Sequence, residues 1–240
     1  MSSKKSRRTY FRSLWWRFFG IATFLLVAGV IVVYAEGYQF NFNNLTWQAT
    51  GAINIGGNQQ GLVIKLNGVA DGNSLPFNQT GLSPSSGYLV QISKSGFITW
   101  SKNFAVSAGL IATDPYVRLF PSKITAQIIN NTPDVSGMCN DNLPNSSSVL
   151  TENDLGEIRS GNNLITRYSS LINDACWFPD GNHVLYSTDD QLRVIEADGT
   201  NDTLLYRSAS QIIKIGVDNS GSDLYFLTAD NHWYKINLQS

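Results

Sequence analysis

The hydrophobic and polar positions fall into two regimes. Residues 18–35 read FFGIATFLLVAGVIVVYA, an apolar run with no charge in it. As a helix rising 1.5 Å per residue it would span roughly 27 Å, close to the thickness of a bilayer core. Past Ala35 helical periodicity is almost absent. β-Branched and aromatic residues alternate with polar ones, and clusters of Gly, Asn, Asp and Ser interrupt them roughly every 8–12 residues, the pattern of short strands joined by turns. The expected fold is mainly β, behind one N-terminal transmembrane helix.

In the segment 36–50, Tyr38, Phe40 and Phe42 alternate with polar residues at strand spacing. The segment reads either as a strand, packed on the next domain or lying at the outer membrane interface, or as a stretched aromatic linker. Residues 51–121 carry the strands of a small β-sandwich. The first covers 52–55, and the second covers 62–66 and ends in the hairpin signal Asn67-Gly68. Tyr88, Val90 and Ile92 share one strand face, Lys94-Ser95-Gly96 turns the chain, and 97–106 returns it with Trp100 and Phe104 as core anchors. Val117-Arg118-Leu119-Phe120 is the last expected strand, stopped by Pro121. Over 87–97, on through Trp100 to Phe104, and over 63–68 with Leu75-Pro76 before it, this stretch resembles the PEGA domain, a small β-sandwich of surface proteins. The naming tetrapeptide is absent, and Gly57-Asn58-Gln59-Gln60-Gly61 stands in its place. The resemblance implies structural roles for Gly87-Tyr88 and for Lys94-Ser95-Gly96-Phe97, so Lys94 is a turn residue.

Residues 122–147, rich in Asn, Asp, Pro and Ser, read as a linker in which 124–129 is a further candidate strand. Residues 148–240 repeat. Val184-Leu185-Tyr186-Ser187-Thr188, Asp189-Asp190 and Val194-Ile195 recur as Leu224-Tyr225-Phe226-Leu227-Thr228, Asp230-Asn231 and Tyr234-Lys235-Ile236. A fainter copy starts at Val149-Leu150-Thr151 and runs through Leu164-Ile165-Thr166-Arg167. Gly181 and Gly221, Thr188 and Thr228, and Asp190 and Asp230 are each separated by 40 positions, the period of a propeller blade. Trp177-Phe178-Pro179-Asp180-Gly181, followed by an apolar strand and Ala197-Asp198-Gly199-Thr200-Asn201, resembles the WD-like blade of Tol-type periplasmic propellers. About two and a half units are expected, the third lacking a final strand. Three arrangements fit: a truncated propeller, an open curved sheet, or blades whose open edges another chain completes.

Charge changes the picture of the first regime. The net charge of -1 averages two unlike parts. Lys4, Lys5, Arg7, Arg8, Arg12 and Arg17 crowd residues 1–17 with no acid among them, and the remainder carries an acidic excess. Cations on one side of the apolar run keep that side cytoplasmic, and Trp15, Trp16, Arg17 and Phe18 at its near edge and Tyr34 at its far edge suit the two interfaces. An uncleaved signal anchor is the first reading. Cleavage after Val33-Tyr34-Ala35 and twin-arginine export from the motif at 6–12 are the alternatives. The expected location is the cell membrane, single-pass, with residues 1–17 cytoplasmic and the body extracytoplasmic. A body with no basic excess argues against nucleic acid.

Candidate chemistry is sparse. His183 and His232 open equivalent strands of two repeats, and a His183–Ser187–Asp189 set lacks a nucleophile elbow. Two distant histidines fall short of a metal site, and Asp198-Gly199-Thr200-Asn201-Asp202 reads as a turn rather than a calcium loop. The glycine pairs, Gly56-Gly57 included, precede no helix that would cradle a phosphate. Catalytic, cofactor and metal residues are therefore all expected to be none. Cys139 and Cys176 both fall in the exported body, where one disulfide or two buried thiols are open readings. The triplets Asn44-Leu-Thr46 and Asn201-Asp-Thr203 match glycan acceptors by pattern alone.

The resulting expectation is a non-enzymatic, membrane-anchored protein with a cell-envelope structural role or a protein- or glycan-binding role. Trp177, Trp233 and Tyr234 are the candidate binding aromatics, and core packing is their competing role. The alternatives are an accessory or sensor subunit whose blades a partner strand completes, with self-association through open edges as a variant, and a hydrolase carrying a propeller.

Overall fold

The computed structural model describes residues 5–42, 45–133, 138, 150–152 and 156–238. One helix, α1 (Lys5–Ala35), precedes the strands. In chain order these are β1 (Tyr38–Asn41), β2 (Thr46–Ala49), β3 (Gly51–Ile55), β4 (Gln60–Leu66), β5 (Val69–Ser74), β6 (Phe77–Leu82), β7 (Ser85–Ser93), β8 (Trp100–Val106), β9 (Ile111–Asp114) and β10 (Ala126–Ile129). The repeat region adds β11 (Leu150–Glu152), β12 (Glu157–Ser160), β13 (Asn163–Arg167), β14 (Ile172–Trp177), β15 (His183–Thr188), β16 (Gln191–Glu196), β17 (Thr203–Arg207), β18 (Ile212–Val217), β19 (Asp223–Thr228) and β20 (Trp233–Asn237).

The chain divides into two compact units. The first comprises Met1–Asn54, Asn78–Tyr88 and Phe104–Thr113, and the second Ile55–Phe77, Leu89–Asn103 and Asp114–Ser240. In the first unit α1 starts well before the apolar run, so the basic head continues the same helix. Trp15–Ala35 is long and apolar enough to cross a membrane. The helix stops at a glycine cap: Gly37 takes φ +84°, and its N–H bonds back to Tyr34 O at 3.1 Å. The segment 36–50 is a hairpin, β1 pairing antiparallel with β2 from Tyr38 opposite Ala49 to Asn41 opposite Thr46. Phe40 meets Phe42 and Trp47 edge-on, at 5.1 and 5.2 Å between ring centroids.

The second unit holds β4, β5, Leu89–Ser93 of β7 and Trp100–Asn103 of β8, from the sheet ordered β5-β4-β7-β8, together with the repeats. Asn67 (φ +49°) and Gly68 (φ +83°) form the β4–β5 hairpin turn expected from the sequence. Val117 to Phe120, expected as a strand, forms none. Its groups go to scattered partners: Val117 N–H to Gly56 O, Leu119 N–H to the Gln59 side chain, and Phe120 O to Ile98 N–H. A ladder needs successive bonds to one neighbour, and this segment is held instead by burial of Val117, Leu119 and Phe120.

The repeats are blade-like antiparallel sheets. β14-β15-β16-β17 is the middle one, β11-β12-β13 comes before it, and β18, β19 and β20 follow. The middle blade is apolar on both faces. Val184, Tyr186 and Ile195 join Ile158 and Ile165 of the preceding sheet in one core, with Trp177. Leu185, Leu192 and Val194 join Ile215, Leu224, Phe226 and Ile236 of the following sheet in another. Neighbouring side chains on a strand point to opposite faces, which is why Val184-Leu185-Tyr186 is unbroken apolar sequence. Each such fully buried side chain contributes about 1.5–3 kcal/mol. The 40-residue period extends to backbone detail. β14 and β18 both bulge, between Ile172 and Asp174 and between Ile212 and Lys214. The Phe178–His183 turn bond recurs as Asp218–Asp223.

The third repeat is not left incomplete. Its sheet runs β10-β20-β19-β18, with Ala126 opposite Ile236 and Ile129 opposite Trp233. The outer strand expected to be missing, or to come from another chain, is supplied by the same chain from the segment read as a linker.

Candidate functional site

In the second unit a buried ion cluster joins β8 to the middle blade. Lys102 Nζ reaches Asp114 Oδ2 at 2.6 Å, Glu196 Oε2 at 2.9 Å and Asp198 Oδ2 at 2.6 Å. Glu196 is the best-satisfied member. Its two oxygens accept from Lys102, from the Trp100 indole N–H, from Thr200 Oγ1 at 2.8 Å and from Asn201 Nδ2 at 3.0 Å. Burial alone would lower the Lys102 pKa, but the hydrogen bonds it donates to Asp114, Asp198 and Glu196 outweigh it and raise it above the ordinary lysine value. Burial raises the Asp114 pKa against the bond to Lys102, and nearby Glu196 adds to the rise. For Asp198, burial raises and the bonds from Lys102 and Thr200 lower, with a net fall.

Beside this cluster lies a small cleft of about 20 Å³, lined among others by Trp100, Arg118, Phe120, His183, Asn201 and Thr203. Arg118 is its cation. Nη2 donates to Gly221 O at 2.6 Å, and the guanidinium carbon sits 4.6 Å from the Phe178 ring centroid and 5.9 Å from that of Phe120. Among the described residues no carboxylate forms an ion pair with Arg118. Burial lowers its pKa, partly offset by the nearby carboxylates of Asp180 and Asp218. A stacked guanidinium spending one donor group on a carbonyl keeps further N–H groups for an acceptor, and its planar fork suits a carboxylate. Sequence reading passed over this residue, although a single cation inside Val117-Arg118-Leu119-Phe120 is the signal that would have found it.

The expected site residues divide. Trp177, expected as an exposed binding aromatic, is 4% exposed and packs in the Ile158–Tyr186 core; apolar neighbours on two sheets leave it no surface. Tyr234 is partly buried and stacks on Phe226 at 4.9 Å. Trp233 is partly buried in β20. His183 is buried, with Nδ1 2.9 Å from Asp180 Oδ2. Ser187 and Asp189 lie at the far end of its strand, about 13 Å along it, so no triad assembles. The Ser187 hydroxyl is buried with no hydrogen-bond partner among the described residues. His232 is exposed and lies 3.1 Å from Asp230. The 198–202 loop is a turn whose acids are engaged, Asp198 with Lys102 and Asp202 with Arg193 and Tyr186. Cys176 is buried and disulfide-bonded; Cys139 lies outside the described residues, as does Asn44. Trp15, Trp16, Phe18 and Tyr34 are exposed along α1.

No family model matches the chain, and no curated protein matches it. Solved structures do. The C-terminal WD40 domain of Sif2 aligns with 63% of this chain and 43% of its own, at 14% identity and TM-score 0.32. The Dos1 propeller aligns with 72% and 45%, at 14% identity and TM-score 0.33. The chain therefore spans under half the length of these propellers.

Proposed function

We propose that this is a non-enzymatic, single-pass membrane-anchored protein whose extracytoplasmic β body binds an acidic segment of a protein partner at the cell envelope. The observation that supports the anchor is the 21-residue apolar span Trp15–Ala35, none of which is buried among the described residues. A helix whose span is apolar all round and has none of its length buried among the described residues finds its apolar surroundings in lipid. The six cations before Phe18 set the N-terminus in the cytoplasm. Residues 51–121 are read as a PEGA-like module and the repeats as its recognition surface. The Arg118 cleft offers the partner a cation and the hydroxyl and amide groups of Thr203 and Asn201.

Carbonate extraction of membranes followed by N-terminal sequencing tests the anchor; a mature chain starting at Glu36 overturns it. For the site, detergent-solubilised wild type is compared with Arg118→Lys for retention of immobilised acidic and neutral peptides. Wild type retains the acidic set selectively, and Arg118→Lys, which keeps charge but loses the fork, retains less. Equal retention of both sets by wild type rejects the site.

A further inference from the structure

The β part of the first unit is free of charge. Residues 37–54, 78–88 and 104–113 include no Asp, Glu, Lys, Arg or His, in a chain that is 15% charged. Every such residue after Glu36 belongs to the other unit. Water-facing surfaces ordinarily carry mixed charges. This one presents Asn, Gln, Ser and Thr, and large apolar side chains stand exposed on it: Phe42 at 81%, Leu45 at 74%, Leu110 at 63% and Ile111 at 65%, with Trp47 and Tyr38 less so.

The same part is fastened to the end of α1. Thr50 donates to Gly37 O from both its N–H (2.7 Å) and its hydroxyl (2.9 Å), and Gly109 N–H donates to Thr50 O at 2.9 Å. A Cβ on Gly109, at φ +68°, would stand 2.9 Å from Glu36 O, so this approach admits only glycine. Leu110 and Ile111 follow that contact directly. The hairpin bearing Phe42, Leu45 and Trp47 begins at Tyr38, three residues past the span. Tyr38, Leu110 and Ile111 therefore start beside the polar interfacial layer, about 5–7 Å thick on each side of the bilayer, and a strand of about 13 Å carries Phe42 and Leu45 at the hairpin tip.

We infer that Tyr38, Phe42, Leu45, Trp47, Leu110 and Ile111 form a lipid-contacting surface, seated at the headgroup–acyl boundary of the bilayer that α1 spans. The inference rests on the anchor reading. Aromatic rings favour that depth, neutral amides and hydroxyls can hydrogen-bond to headgroups there, and a surface without charge has no preference for anionic lipid and little dependence on salt.

The full-length chain, reconstituted in phosphatidylcholine vesicles, tests it with an environment-sensitive fluorophore on Ile111→Cys and, separately, on Val27→Cys inside the span. Labelling is done without reductant. The expected result is strong quenching of both labels by nitroxide lipids, protection of both from aqueous iodide, and no change when anionic lipid or salt is added. A Val27 label quenched by nitroxide lipid beside an Ile111 label open to iodide overturns the inference and leaves the anchor standing. A Val27 label untouched by nitroxide lipid removes the anchor and the inference together.

Discussion

Trp100 donates its indole N–H to Glu196, a residue 96 positions later in the chain. One strand of the β4–β8 sheet is thereby bonded to the last residue of β16, and Lys102, two residues along the same face of β8, bonds the other oxygen of the same carboxylate. A buried carboxylate is tolerated only when its lone pairs are filled, and here four donors fill them.

Removing that carboxylate should cost more than removing its exposed neighbour. Glu196→Ala is expected to lower stability by about 3–5 kcal/mol, the usual loss when one partner of a buried pair is deleted. Asp198→Ala, whose side chain is 50% exposed, is expected to cost about 1 kcal/mol or less. Urea unfolding of the solubilised chain followed by tryptophan fluorescence separates the two; equal midpoints would sink the ranking.

The cluster also sets an alkaline limit. Lys102 has its folded pKa raised above the ordinary 10.5 by its three carboxylates. A raised amine stabilises fully below the unfolded value and loses that contribution as pH climbs through the folded one. Tyr186, buried and bonded to Asp202, is raised above 10.0 and acts in the same direction, since ionising it is costlier in the folded chain. Urea midpoints are therefore expected to fall once pH exceeds 10.5, and Lys102→Met should show a shallower fall. An identical slope in the variant would remove Lys102 from the account.

Strand β10 has β20 on one side and no other neighbour among the described residues. Successive N–H groups on an antiparallel strand alternate in direction, so one of Gln127 and Ile128 faces β20. Of the two single variants Gln127→Pro and Ile128→Pro, one is expected to cost about 3 kcal/mol and the other much less. Hydrogen exchange of β20 reports it. Two harmless prolines would show that β10 does not complete the third blade.

The disulfide at Cys176, proposed to pair with Cys139, should leave no thiol for alkylation until a reductant is added. Cys176→Ser is expected to cost about 2–5 kcal/mol. Mass analysis with and without reductant decides the pairing, and two alkylated thiols in the unreduced chain would reject it.

Where the residues carried their own instructions, reading them in order was enough. The apolar run placed α1, Asn67-Gly68 placed a hairpin turn, and the 40-residue spacing of Gly181 and Gly221 placed equivalent turns. Strands β5 and β6 were passed over because Val69–Ser74 and Phe77–Leu82 are mostly polar, and pairing rather than alternation makes them strands. Val117 to Phe120 erred the other way, apolar enough for a strand yet without one neighbour to bond.

By itself, then, the order of residues determined the apolar helix, the β character of the body, the blade period and the charge split, all of which depend on near neighbours. Tertiary structure alone decided that a strand from the presumed linker completes the third blade, that Trp177 is core, and that Lys102 gathers carboxylates from distant segments. It also brought Gly109 against the end of α1 and gathered the uncharged stretches into one unit. These depend on which distant segments meet, and local pattern carries no record of pairings between residues a hundred positions apart.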